Sequence, residues 1–169
     1  ETDELLREIF LAEDARARLV RDEDFACEDN FLAIGGRMIT VKTPRTKYED
    51  VIVPLHGQHQ GDNASLAICA VEEFFGDTIN REILDEGMSS VKMPGRFEVL
   101  GHRPLAIIDG AHNPAGAEVC ARVFFEDFKT QGRKIKFLYL VPNFANPSGV
   151  TLSAERCPRI LEICKREHI

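Results

Sequence analysis

The stretch Leu105–Pro114, Leu-Ala-Ile-Ile-Asp-Gly-Ala-His-Asn-Pro, constrains the fold more than any other part of this chain. Its first four residues form a wholly apolar strand, and Asp109-Gly110 ends it at once. Asn113 followed by Pro114 marks a helix start, because the amide oxygen can cap free N–H groups and proline, which has no N–H, suits the first helical position. An apolar strand that turns straight into a helix predicts an α/β unit. Ligands of such folds collect at the carboxyl ends of the strands, which is where Asp109 stands. A carboxylate there can accept hydrogen bonds from ribose hydroxyls, while Gly110 lets a ligand approach the backbone and the helix start offers N–H groups to anionic oxygens. The plainer alternative is that Asp109 and Asn113 only organise the turn, as these residue types commonly do.

The rest of the pattern fits around this unit. The helix from Pro114 is predicted to run to about Phe128, burying Ala117, Cys120, Ala121, Phe124 and Phe128. Phe97–Leu100 is predicted as a strand before it, Ile135–Val141 as a strand after it, and Ser153 as the cap of a last helix toward Lys165. Strand and helix alternating over short connections predict a parallel, right-handed arrangement. Upstream, Leu5, Leu6, Ile9, Ala12, Ala15 and Leu19 space a helix over about Asp3–Val20. Phe31–Ile34 and Arg37–Lys42, split by Gly35-Gly36, form a hairpin, with Tyr48–Leu55 as a third strand. Asp62-Asn63 is placed as the cap of a helix with Leu66, Ala67, Ala70, Val71, Phe74 and Phe75 as its packed face and Gly76 as its stop. Ser, Lys, Pro and Gly over Met88–Pro94 mark a linker. The expected fold class is α/β, a small antiparallel lobe followed by a partial Rossmann-like parallel strand-helix-strand-helix unit.

Composition narrows the function classes. The 169 residues are 44% hydrophobic and carry a net charge of -7, so a nucleic-acid partner has no electrostatic support, whereas a single nucleotide needs only one or two cations. No segment is apolar for long enough to cross a bilayer, and Glu-Thr-Asp-Glu at the start is the opposite of a cationic signal peptide, so a cytoplasmic protein is expected. Five scattered cysteines without a Cys-x-x-Cys pair indicate neither a disulfide framework nor a zinc site. His56 and His59, three apart in a loop, and His112 beside Asp109 lack the further ligands a metal site needs, so no metal site is assigned.

Three strings, Leu-His-Gly-Gln-His-Gln-Gly-Asp-Asn-Ala (55–64), Pro-Gly-Arg-Phe-Glu (94–98) and Ile-Asp-Gly-Ala-His-Asn-Pro (108–114), occur in that order. Together they closely resemble folylpolyglutamate synthase and dihydrofolate synthase of the Mur ligase family, over Glu1 to about Phe128. The resemblance implies an ATP-dependent ligase that adds glutamate to folate or pteroate, with ATP and magnesium as cofactors. It divides the chain into the end of a central domain (1–88) and the start of a C-terminal domain (89–130). It also implies that Asn63 contacts the nucleotide, that Arg96 reaches its phosphates, and that Asp109 and His112 belong to the same site. Without it, Asn63 would be a helix cap and Arg96 a solvated charge. For Asp109, spacing alone slightly favours the turn-organising role, and the match of the string Asp-Gly-Ala-His-Asn-Pro-Ala-Gly-Ala favours the nucleotide. No Gly-x-x-x-x-Gly-Lys-Ser/Thr loop occurs in these residues, and the family's magnesium ligands lie mostly in an earlier region without a counterpart here. No catalytic residue is therefore named, and catalysis by this chain alone is not expected.

After about Thr130 the text changes. Residues 134–156, with Asn-Pro-Ser-Gly at 146–149, resemble a fold type I pyridoxal-phosphate-dependent aminotransferase, in which the residue matching Asn146 hydrogen-bonds the cofactor's phenolic oxygen. No segment for the Schiff-base lysine follows, so pyridoxal phosphate binding is not expected. Pro158 predicts that the last helix starts late or bends. The alternative to a synthase-like module holding part of an ATP site is thus a non-catalytic chimera whose residues 131–169 are aminotransferase-derived. A sheet of few strands leaves edges that invite self-association.

Overall fold

The computed structural model describes residues 4, 5, 8, 9, 19–103, 105–128, 132, 136, 138, 151 and 153–169. The chain divides into two compact units, Glu1–Met93 and Pro94–Ile169, in a mixed α/β fold with small antiparallel sheets. Of the helix predicted over Asp3–Val20, Glu4, Leu5, Glu8 and Ile9 are helical and most of the rest lies outside the described residues.

In the first unit β1 (Ala26–Ala33), β2 (Gly36–Lys42) and β3 (Lys47–Val53) form an antiparallel sheet in that order. Ala33 pairs with Gly36, so Ile34-Gly35 is the two-residue turn, and Gly35 takes the positive φ of 77° that glycine tolerates. Gly36 answers a different need, since a Cβ there would run into the backbone of Val53, Pro54 and Leu55. A bulge sits between β2 and β3: Ile39 pairs with Val51 but Val41 with Tyr48, and Asp50 turns to φ 53°. The bulge brings Tyr48 and Val51 into the same core although they stand three apart.

Helix α1 spans His59–Phe75 and ends at left-handed Gly76, as predicted. Its start and its packed face differ from expectation. The first residue is His59, with Gln58 before it and no side-chain cap; Asp62 lies inside the first turns and pairs with Arg21 at 3.5 Å. The cause is tertiary: Asn30 donates to the Gln58 carbonyl at 2.8 Å and accepts from buried Arg37 at 2.7 Å, pinning the chain entry to β1 and β2. The buried face is Gln60, Gly61, Ala64, Ser65, Ile68, Cys69 and Glu72, while Leu66, Val71, Phe74 and Phe75 are exposed. Small residues win because the helix lies close on the sheet; a Cβ on Gly61 would meet Cys27 Sγ at 2.8 Å. Glu72 is admitted because Tyr48 donates to its carboxylate at 2.5 Å. A helix not predicted, α2 (Arg81–Ser89), is capped by Asn80, whose side chain accepts from the Glu82 and Ile83 amides.

The second unit holds β4 (Glu98–His102) and β5 (Leu105–Ile108), paired antiparallel, then α3 (Pro114–Val123), a π turn over Phe124–Phe128, and α4 (Arg156–Glu167). Its core is Phe97, Val123 and Phe128, with Val99, Leu105, Ile107, Val119, Cys120 and Phe124 packed against them. Ala117 and Ala121, predicted inside, are exposed, and Val123 takes their place: larger side chains one step round the helix fill the space against the hairpin. Of the run predicted as a parallel partner strand, Lys136 and Leu138 are described and neither is in a strand; the rest lies outside the described residues. Asn146 lies outside them too. Ser153 serves α4 through its carbonyl, which accepts from Arg156 and Cys157, and the helix starts late enough to hold Pro158 in its first turn, where no intrahelical donor is lost.

Candidate functional site

Asp109 follows the last residue of β5 and is held by the backbone around it. One carboxylate oxygen accepts from Ala111 N at 2.8 Å, closing the turn, and the other accepts from Phe97 N at 2.8 Å, twelve residues away. The turn-organising role is therefore present. Each oxygen still has a second lone pair with which to accept from a ligand. Burial, followed by the charge and hydrogen bond of this carboxylate, pushes the Cys120 thiol up, so it stays protonated beside Asp109.

The Pro94–Phe97 turn is bound to the Asp109–Ala111 turn at one further point, where Gly110 N donates to Gly95 O at 2.7 Å, and it is braced internally by Gly95 N, which donates to Glu98 at 2.8 Å. Gly95 carries a φ of 70° and Phe97, unusually for a bulky residue, one of 46°. Phe97 is 5% exposed and packs on Phe128 with ring centroids 5.5 Å apart, so the core holds the unusual backbone in place. Arg96 is exposed between these fixed points, and its guanidinium has no hydrogen bond or ion pair among the described residues. His112, also exposed, donates from Nδ1 to the Gly110 carbonyl at 3.0 Å. Asn113 caps α3 as predicted, accepting from Gly116 N at 2.7 Å.

Arg96, Asp109 and His112 thus lie on two interlocked turns of the second unit. Asn63 is on α1 of the first unit, exposed, and donates to Gln60 at 3.1 Å; it is not a helix cap. Among the described residues no group of three or more His, Cys, Asp and Glu side chains could hold a metal ion. A cleft of about 330 Å³ beside β3 and α2, lined by Asp50, Ile52, Arg81, Asp85, Glu86 and Ser89, contains none of the four predicted residues. Sequence reasoning missed Phe97 and Glu98 as parts of the turn. Both stand in the quoted string Pro-Gly-Arg-Phe-Glu, and the signal was that a charged residue opens β4 directly after an arginine turn.

A three-stranded lobe with one helix laid on it, and a strand-to-helix turn tied to a Pro-Gly-Arg turn, accompany strong homology, over part of the chain, to folylpolyglutamate and dihydrofolate synthases. The dihydrofolate synthase/folylpolyglutamate synthase of Mycobacterium tuberculosis is 38% identical over 128 residues, 72% of this chain and 26% of that protein. The Bacillus subtilis counterpart is 33% identical over 105 residues, 60% of this chain and 24% of its own. The M. tuberculosis folylpolyglutamate synthase solved in complex with ADP superposes with a TM-score of 0.66 at 37% identity, covering 72% of this chain and 28% of that one. The chain spans about a quarter of the length of these relatives. Aromatic-amino-acid aminotransferase 1 of Thermococcus litoralis is 37% identical over a short stretch of 41 residues, 24% of this chain and 10% of that protein. No protein-family model matches the chain. No helix among the described residues is long and apolar enough to cross a membrane.

Proposed function

We propose that this chain carries part of the nucleotide site of an ATP-dependent ligase of the kind that adds glutamate to folate or pteroate. The observation that carries the reading is the exposed Arg96, which has no hydrogen-bond or ion-pair partner among the described residues and is displayed on a turn locked to the Asp109–Ala111 turn. A planar, permanently charged guanidinium suits phosphate oxygens, and it costs nothing to release from an internal partner. In this reading Asp109 accepts from the ribose hydroxyls with its free lone pairs and His112 lies beside it, while a nucleotide contact by Asn63 is what the family resemblance implies. Support comes from the relative solved with ADP. Magnesium has no candidate ligand group among the described residues.

Three hydrogen-bond or charge contacts, set against the loss of ligand freedom, give a dissociation constant of about millimolar to high micromolar. Calorimetry with ATP should show such weak binding, reduced in Arg96→Ala and in Asp109→Ala; no heat in the parent protein, or binding unchanged from the parent in both variants, rejects the reading. With no Gly-rich phosphate loop in these residues, the purified chain should show no glutamate-dependent ATP cleavage and no transamination. Glutamate-dependent phosphate release that Asp109→Ala abolishes would contradict this.

The second reading is a non-catalytic chimera, favoured by the 41-residue stretch similar to an aminotransferase. It expects no ATP binding, so the same titration separates the two.

A further inference from the structure

We infer that Glu98 is a positioning residue for Arg96, acting through the backbone of the Pro94–Phe97 turn rather than on the ligand; the inference rests on the nucleotide reading above. Four bonds and one packed ring fix this turn. Glu98 accepts from Gly95 N at 2.8 Å, Gly95 O accepts from Gly110 N at 2.7 Å, and Asp109 ties Phe97 N at 2.8 Å and Ala111 N at 2.8 Å. Phe97 is driven into the core on the far side of Arg96. Arg96 is thus bracketed by two residues with positive φ, Gly95 at 70° and Phe97 at 46°. A backbone so bent relaxes unless both flanks are held. Asp109 and the Phe97 ring hold the second flank. Glu98, half-buried at the first position of β4, is the side chain that holds the first. Without it, Gly95, which has open space where a Cβ would be, keeps only the Gly110 N bond to its carbonyl, and its amide side can shift and take Arg96 with it.

The test uses the full chain and ATP as probe, in the parent, Glu98→Ala, Glu98→Gln, Arg96→Ala and the double variant Arg96→Ala/Glu98→Ala. Amide exchange followed by NMR is read in parallel. In Glu98→Ala the Gly95 amide should exchange at least about tenfold faster while the ladder amides of β4 and β5 keep their protection, which also shows the unit is folded. ATP affinity should fall about tenfold, and Glu98→Gln, whose side-chain carbonyl still accepts from Gly95 N, should recover most of it. In the Arg96→Ala background the Glu98 change should alter affinity by less than about twofold, because its effect runs through the arginine. Unchanged Gly95 exchange, or losses that add in the double variant, overturn the proposal while leaving the nucleotide reading intact. If the parent gives no heat with ATP, the nucleotide reading fails, and the exchange result alone decides whether Glu98 holds the turn.

Discussion

Tyr48 is the side chain on which the first unit most depends for a polar contact inside its core. Its hydroxyl donates to buried Glu72 at 2.5 Å and accepts from Ile79 N at 2.7 Å, joining β3, α1 and the lead into α2. Among the described residues the second oxygen of Glu72 has no hydrogen-bond partner, and the tyrosine is the carboxylate's direct support. Tyr48→Phe should therefore cost about 1–3 kcal/mol in chemical denaturation, the range for orphaning buried polar groups. Burial, reinforced by the hydrogen bond to Glu72, pushes the Tyr48 phenol up from 10.0 to about 12. A pKa raised in the native state stabilises the fold fully below the unfolded value. Above it the unfolded chain releases a proton that the native chain keeps, so stability should drop from about pH 10 to about pH 12. Denaturation midpoints measured across that window should fall more steeply in the parent than in Tyr48→Phe; parallel curves would show that Tyr48 is not the group responsible.

At the scale of elements, α1 presents apolar side chains on nearly every side, and hydropathy alone cannot say which side meets the sheet. The larger residues invited the wrong choice. The sheet takes Gly61, Ala64, Ser65 and Ile68, because close approach rewards small volumes and an exposed phenylalanine costs the fold little. Ile68→Ala should destabilise by about 2–5 kcal/mol, whereas Phe74→Ala should change stability by no more than about 0.5 kcal/mol. Equal losses in urea titrations would reverse the assigned face. By contrast, β1, β2, the Gly76 stop and the Asn113-Pro114 start were legible, each depending on a local backbone demand: a tight turn, a left-handed residue, or a cap. The Asn80-capped α2 was equally local and was passed over because it is short.

For the whole molecule, α1 exposes Leu66, Val71, Phe74 and Phe75, with Phe74 78% and Phe75 75% exposed, and exposed apolar side chains in such number invite association. Light scattering should detect concentration-dependent association, weakened in Phe74→Ser/Phe75→Ser; a monodisperse monomer at all concentrations would contradict this. The candidate site divides along the same line as the fold. Arg96, Asp109, His112 and Asn63 were marked as candidates by the resemblance of their strings to a known family, whereas local residue chemistry alone pointed to turn, cap and surface roles. That Asp109 ties Phe97 and that Gly110 ties Gly95 depends on contacts between turns twelve or more residues apart, which no local pattern encodes, whereas the Glu98–Gly95 bond spans only three residues. The sequence by itself determined the β1–β2 hairpin, the Gly76 stop and the Asn113 cap, because backbone geometry at those points is a property of a few adjacent residues. Only the tertiary structure decided which face of α1 is buried and which turns are locked together, because those outcomes rest on volume and hydrogen-bond competition among distant segments.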